Sequence, residues 1–125
     1  MIICVLGFDL FTPVTFQIKP LHIYTLDTQL SIQLPPGFHG VILPKSGLFA
    51  HYRISCHQGL IDTLYTASLK VVLKNESRRP FTFHKGQKVA QLVIHKTYPF
   101  IFSESHDPFD QTRGGFGSTG LFKQK

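Results

Sequence analysis

Apolar residues in this chain recur at every second position in short runs, and proline, glycine or aspartate closes nearly every run. A two-residue period puts alternate side chains on opposite faces of a strand, so the pattern selects β-structure. The runs are ICVL, VTFQI, LHIYT, QLSIQL and GVIL, punctuated by Pro13, Pro20, Asp27, the pair Pro35 and Pro36, and Pro44. In QLSIQL the alternation directs Leu30, Ile32 and Leu34 to the core and Ser31 and Gln33 to water. No stretch free of proline and glycine has helical periodicity, and no internal repeat appears. The expected fold is all-β, a single-domain jelly-roll or barrel.

Gln58 to Asn75 reads as a β-hairpin. Gly59, Leu60 and Ile61 lead into Asp62, and after the turn Leu69, Val71 and Leu73 alternate with Ser68, Lys70 and Val72. A carboxylate at such a strand end can take a proton from water. Asp62 also reads as a turn aspartate, and Tyr65 as a half-buried hairpin aromatic. In PKSGLFAHY, Ser46 caps one expected helical turn through Leu48, Phe49 and Ala50, with amides that suit an anion. NESRRP reads as a polar loop whose two arginines form a solvated tip. Phe81 and Phe83 alternate with Thr82 and His84 before a turn at Lys85 and Gly86. Val89 to Ile94 then reads as a strand buried on both faces. Gln91 is the one polar residue inside it, and a buried amide without partners costs roughly 1–3 kcal/mol. It is either satisfied by backbone or aimed at a site.

The 125 residues fit one domain, and 42% apolar content with 13% aromatics fills its core. Cys4 and Cys56 form no CxxC pair, so neither a disulfide framework nor a structural zinc site is indicated, and an intracellular compartment, cytoplasmic or nuclear, is expected. Met1 to Phe8 is too short to span a bilayer and lacks a basic leader, which argues against a signal peptide or membrane segment. A net charge of +6 favours anionic partners. No basic stripe interleaved with aromatics marks a nucleic-acid surface. Beyond Phe102 the composition turns polar and glycine-rich, so 1–102 reads as the core and 103–125 as a mobile C-terminal arm.

In order and spacing these pieces resemble the five motifs of the trimeric dUTPases: LGFDL, PKSGLFA, GLIDTLY, GQKVAQL and RGGFGSTG, with LPPGFHG before the second. The resemblance covers nearly the whole chain. It implies a jelly-roll homotrimer with active sites shared between subunits, splitting dUTP into dUMP and pyrophosphate, which keeps uracil out of DNA. It assigns Asp62 as the base that orients and deprotonates the attacking water, and the backbone around Gly59 and Ile61 to the uracil edge. Tyr65 would lie under the deoxyribose and exclude a 2′-hydroxyl. Lys45, Ser46, Gly47 and Gln91 would hold phosphate oxygens, and Asp9 would support Mg²⁺ through its water shell. Phe116 would stack on uracil from a neighbour's arm, with Arg113, Gly117, Ser118 and Thr119 closing over the γ-phosphate.

The chain departs from the family pattern in four places. Only six residues precede Gly7, so the strand before the first motif is expected to be short or absent. Lys45 stands where arginine is usual and replaces a planar fork by a point charge. Ala67 stands where a glycine usually follows the tyrosine. Arg113 and Gly114 run directly into Gly115 and Phe116, two residues short of the usual spacing, about 7 Å of extended chain. The alternative function is a non-catalytic dUTPase-like trimer acting as a binding or signalling protein. The dCTP deaminases share the fold but usually have longer chains and lack the GFGSTG tail.

Overall fold

The computed structural model describes residues 6–106. Nine strands and one short helix follow in order: β1 (Phe8–Phe11), β2 (Phe16–Ile18), β3 (Ile23–Asp27), β4 (Phe38–Leu43), α1 (Ser46–Tyr52), β5 (Ile54–Cys56), β6 (Gly59–Ile61), β7 (Lys70–Asn75), β8 (Phe81–Phe83) and β9 (Lys88–Lys96). They form a four-stranded sheet in the order β1-β9-β4-β6, a three-stranded sheet β3-β7-β5 and a two-stranded ladder β2-β8. Every pairing is antiparallel.

One core lies between the sheets. Ile18, Leu26, Ile42, Ile54, Leu73, Phe83, Val89 and Leu92 meet there, all buried. The two-residue period is visible in β7, where Val71 and Leu73 are buried while Lys70 is exposed. β9 lies between β1 and β4, so its backbone is paired on both sides, and Val89, Ala90 and Leu92 are buried as expected of a central strand. Gly40 makes this possible. A β-carbon there would lie 3.1 Å from the Leu92 side chain and 3.2 Å from Ile61 Cβ, so β4 packs close to its neighbours' side chains only because it has none.

Three expectations need correction. The arms of the Gln58–Asn75 segment do not pair with each other: β6 takes its partners from β4, and β7 takes its partners from β3 and β5. Alternation reports which face is buried, not which strand supplies the hydrogen bonds, and the link from Asp62 to Leu69 is long enough for the arms to part. QLSIQL is not a strand. The backbone turns at Gln29, which has φ 59°, and Asp27 Oδ1 accepts from the Gln29 N–H at 2.9 Å. Ile32 and Leu34 still pack on the core, but Leu30 is 48% exposed. Third, α1 extends to Tyr52, two residues past the expected turn. Its N-cap is Lys45, in extended conformation and without a side-chain cap bond, so Ser46 is the first helical residue rather than the cap.

Candidate active site

β4 has two chemically different ends, and the register of its neighbours fixes what stands at each. At the Leu43 end, Leu43 pairs with Gln91 of β9, and Gln91 pairs with Asp9 of β1. The chain leaves β4 through Pro44 into Lys45 and α1, so the candidate residues of the first, second and fourth motifs converge here.

Asp9 is the centre of this end. Lys45 Nζ lies 2.6 Å from Asp9 Oδ1, and Lys88 Nζ lies 3.1 Å from Oδ2. The two lysine hydrogen bonds, Lys45 first, hold the Asp9 carboxyl below its ordinary value, so it is ionised at neutral pH. Two ammonium groups against one carboxylate leave one excess positive charge, a setting that attracts a polyanion. Gln91 donates from Nε2 to the Pro44 carbonyl at 3.1 Å. Its Oε1 sits where a β-carbon on Gly7 would come within 2.9 Å, so a side chain at position 7 would displace the amide. Of the two roles open to Gln91, backbone satisfaction is thus present, and its amide stands beside the phosphate candidates. Ser46 and Gly47, the first residues of α1, are exposed.

The other end carries Asp62, the candidate base. Gly40 pairs with Ile61 and Ile42 with Gly59, so Asp62, one residue beyond β6, falls level with His39. Asp62 is exposed, and among the described residues its Oδ1 accepts only a long 3.4 Å bond from the Leu64 N–H. The Tyr65 N–H donates to the Asp62 carbonyl at 3.0 Å, and the Tyr65 hydroxyl donates to the Ser68 carbonyl at 2.7 Å. Tyr65 packs half-buried against the core. The turn is therefore held by Tyr65 and leaves the Asp62 carboxylate facing water. A cleft of about 370 Å³ opens beside it, lined by His39, Ile61, Asp62, Thr63 and Thr97.

Leu43 and His39 are four steps apart on β4, which at ~3.3 Å per residue separates the level of Gln91 from that of Asp62 by about 13 Å. One chain therefore does not bring Asp62 and Tyr65 to Asp9, Lys45, Ser46, Gly47 and Gln91. Arg113, Phe116, Gly117, Ser118 and Thr119 lie outside the described residues, as does Cys4. Burial pushes the Cys56 thiol up to about 11, which leaves it protonated and a poor nucleophile at neutral pH. Among the described residues no helix is long and apolar enough to cross a membrane.

The sequence reading passed over two groups. Lys88 stands in GQKVAQL three residues before Gln91, and only the register against β1 places it on Asp9. His39, in LPPGFHG, stacks on His95 across β4 and β9 with ring centroids 5.5 Å apart and bonds Thr97 Oγ1 through Nδ1 at 2.7 Å. Its place beside Asp62 depends on the pairing of β4 with β6, which no local pattern reveals.

Comparison with known proteins gives one answer. The sequence profile of the dUTPase family matches residues 5–120. A deoxyuridine 5′-triphosphate nucleotidohydrolase of fowlpox virus is 34% identical over 120 residues, covering 92% of this chain and 83% of the relative. The dUTPase of Staphylococcus bacteriophage 80alpha, solved with dUPNHPP, superposes with a TM-score of 0.83 at 22% identity, covering 94% of this chain and 87% of that one. A mutant dUTPase from phage phi11 of S. aureus, solved to show coordination of a structural Mg(II) ion, superposes with a TM-score of 0.77 at 19% identity over 82% of this chain and 84% of that one. These structural likenesses show the fold, an all-β jelly-roll of the dUTPase type.

Proposed function

This chain belongs to the dUTPase family, and from that premise and the geometry of β4 we propose that it hydrolyses dUTP to dUMP and pyrophosphate in sites shared between the subunits of a homotrimer. The observation that carries the reading is the division of the chemistry between the two ends of β4. A cationic cluster with Gln91 is complete at one end, and a water-facing carboxylate stands at the other. Subunits arranged so that the Asp62 end of one meets the Asp9 end of the next would place the base against a bound triphosphate. Exposed apolar side chains near both ends, Phe8 at 54%, Leu30 at 48% and Leu60 at 76%, supply surface for such contacts.

In this mechanism Lys45, the residues at the start of α1 and Gln91 bind the phosphates, and the carboxylate of Asp62 aligns a water and takes its proton as the water oxygen attacks the α-phosphorus. Tyr65 supports the sugar, and the backbone from Gly59 to Ile61 reads the base. The arm from residue 103 onward, with Arg113, Phe116, Gly117, Ser118 and Thr119, completes a neighbour's site.

Mg²⁺ is the proposed cofactor. Among the described residues no three histidine, cysteine, aspartate or glutamate side chains converge, so there is no cage made of protein ligands alone. The donor set suits an ion that keeps its waters and rides on substrate phosphates, because Mg²⁺ commonly needs only one or two carboxylates. Each Asp9 oxygen bonds one lysine and retains capacity for a further donor, such as a metal-bound water. When bound, Mg²⁺ supplies positive charge and orientation to the triphosphate. The test is purified protein with dUTP and Mg²⁺, measuring pyrophosphate, with dCTP, dTTP and UTP as controls. Release from dUTP alone is expected; no release would support the non-catalytic alternative.

A further inference from the structure

At the far end of α1 from the phosphate cluster lies a basic cleft of about 320 Å³ between the helix C-terminus and the loop joining β7 to β8, lined by His51, Tyr52, Arg53, Ser77, Arg79 and Phe81, with Pro80. We propose that this cleft is a second, non-catalytic site for a nucleoside phosphate, free or as one unit of a single strand. This assignment is independent of dUTP hydrolysis and stands whether or not the chain is an enzyme.

Three observations carry it. The first is the charge and its fixation. Arg53 and Arg79 line one cleft from two different elements, the Arg53 guanidinium lies 5.6 Å from the centroid of the neighbouring Phe49 ring, and among the described residues no carboxylate lines the cleft; Glu76, the acid on the same loop, lies 4.0 Å from Lys74. The loop is held in place from below. The fully buried Asn75 donates to the carbonyls of Ile18 at 3.0 Å and Arg79 at 2.6 Å, and its Oδ1 accepts from the Ser77 N–H and hydroxyl. The Glu76 N–H donates to the Arg53 carbonyl at 2.9 Å, which ties the loop to the helix end. Two guanidinium groups on a fixed frame suit the oxygens of a phosphate.

The second observation is the backbone of Arg53. It caps α1 in the left-handed region, φ 60° and ψ 32°, where a β-carbon crowds the following carbonyl and glycine is the usual occupant. A long cation therefore occupies a helix-ending position that usually favours glycine; Leu21 and Gln29 share this left-handed conformation, but of the three only Arg53 ends a helix and lines this cleft. The third is the aromatic surface beside the charges. Tyr52 is 54% exposed, and its ring centroid is 5.1 Å from that of Phe81. An aromatic face next to phosphate-binding cations is the combination that holds a nucleotide by its base and its phosphate together.

The test measures binding of thymidine monophosphate, ribose 5-phosphate and a short oligothymidylate to the full chain by titration calorimetry. The variants are Arg53→Gly, which removes the charge while relieving the left-handed position, and Arg79→Gln, which alters an exposed side chain. Thymidine monophosphate is expected to bind roughly tenfold tighter than ribose 5-phosphate because of the aromatic pair. Each variant should weaken it by roughly tenfold while dUTP turnover stays unchanged. Binding by both nucleotide ligands supports a site for free and strand-borne units, and binding by the oligothymidylate alone supports strand recognition. Equal affinity for ribose 5-phosphate and the nucleotide overturns the nucleoside assignment. Unchanged binding in both variants overturns the site. Urea unfolding of each variant verifies its fold, and Arg79→Gln carries the test if Arg53→Gly does not fold.

Discussion

The two ends of β4 hold their acidic residues in opposite ways. Asp9 is gripped by two lysines on two elements, at 2.6 and 3.1 Å, whereas Asp62 faces water with one 3.4 Å contact from its own turn. The first arrangement fixes positive charge in one place. The second leaves a carboxylate with lone pairs to spare, which a general base needs. A phosphate-binding group and a base have different requirements for burial and pairing, and the candidates for the two roles stand about 13 Å apart along one strand.

The comparison breaks most sharply at Asp62. Asp62→Asn keeps the shape of the turn and removes the base, so kcat should fall by a factor of roughly 10² to 10⁴ with the fold and the oligomeric state unchanged. Turnover of dUTP at the parental rate would mean the base lies elsewhere. Next comes the other end. Lys45→Met removes a charged contact to phosphate and leaves Asp9 with Lys88 alone; kcat/KM should drop roughly 10- to 100-fold, mostly in KM. A pure kcat effect with KM preserved would mean that Lys45 does not bind the ground-state triphosphate.

Between the ends, Gly40 sets the close packing of β4 against β9 and β6. Gly40→Ala places a β-carbon 3.1 Å from Leu92 and 3.2 Å from Ile61, a crowding that should cost about 1–3 kcal/mol in urea unfolding. Both ends should then lose activity together. Parental stability would show that β4 can shift freely against its neighbours.

How much of this was legible beforehand divides along the same line. The buried sets Val71 with Leu73 and Val89 with Leu92 follow from alternation, because the identity of a strand's faces is local information. Asp9, Ser46, Asp62 and Gln91 were legible as motif residues. The partners of those residues were not. Lys88 reaches Asp9 through the β1–β9 register, and β6 pairs with β4 rather than with β7, both of which depend on contacts distant in sequence. Leu30 misled for a related reason: its run alternates like a strand, but Gln29 turns the backbone and leaves Leu30 at the surface.

The smallest expected effect concerns what anchors the Asp62 turn. Asp27 on β3 bonds Lys70 Nζ at 2.6 Å, and Lys70 opens β7 where the chain returns from that turn. The Lys70 hydrogen bond first, then the Gln29 N–H and the Ser68 hydroxyl, lower the Asp27 carboxyl from 3.8 to about 2. Ser68 is also the residue whose carbonyl takes the Tyr65 hydroxyl, so these bonds reach the turn directly. A depressed folded-state value means the ionised form is favoured by folding. Its contribution is fully present above pH 3.8 and is lost as pH falls through 2. Both partners are almost half exposed, which keeps the effect small. The urea midpoint of the parent should therefore exceed that of Asp27→Asn by a modest, constant margin from neutral pH down to about 5, and the margin should close as pH approaches 2. A margin that persists at pH 2 would assign the difference to packing of the side chain rather than to its charge, and the Asp62 end would then owe nothing to electrostatics on its own side of the molecule.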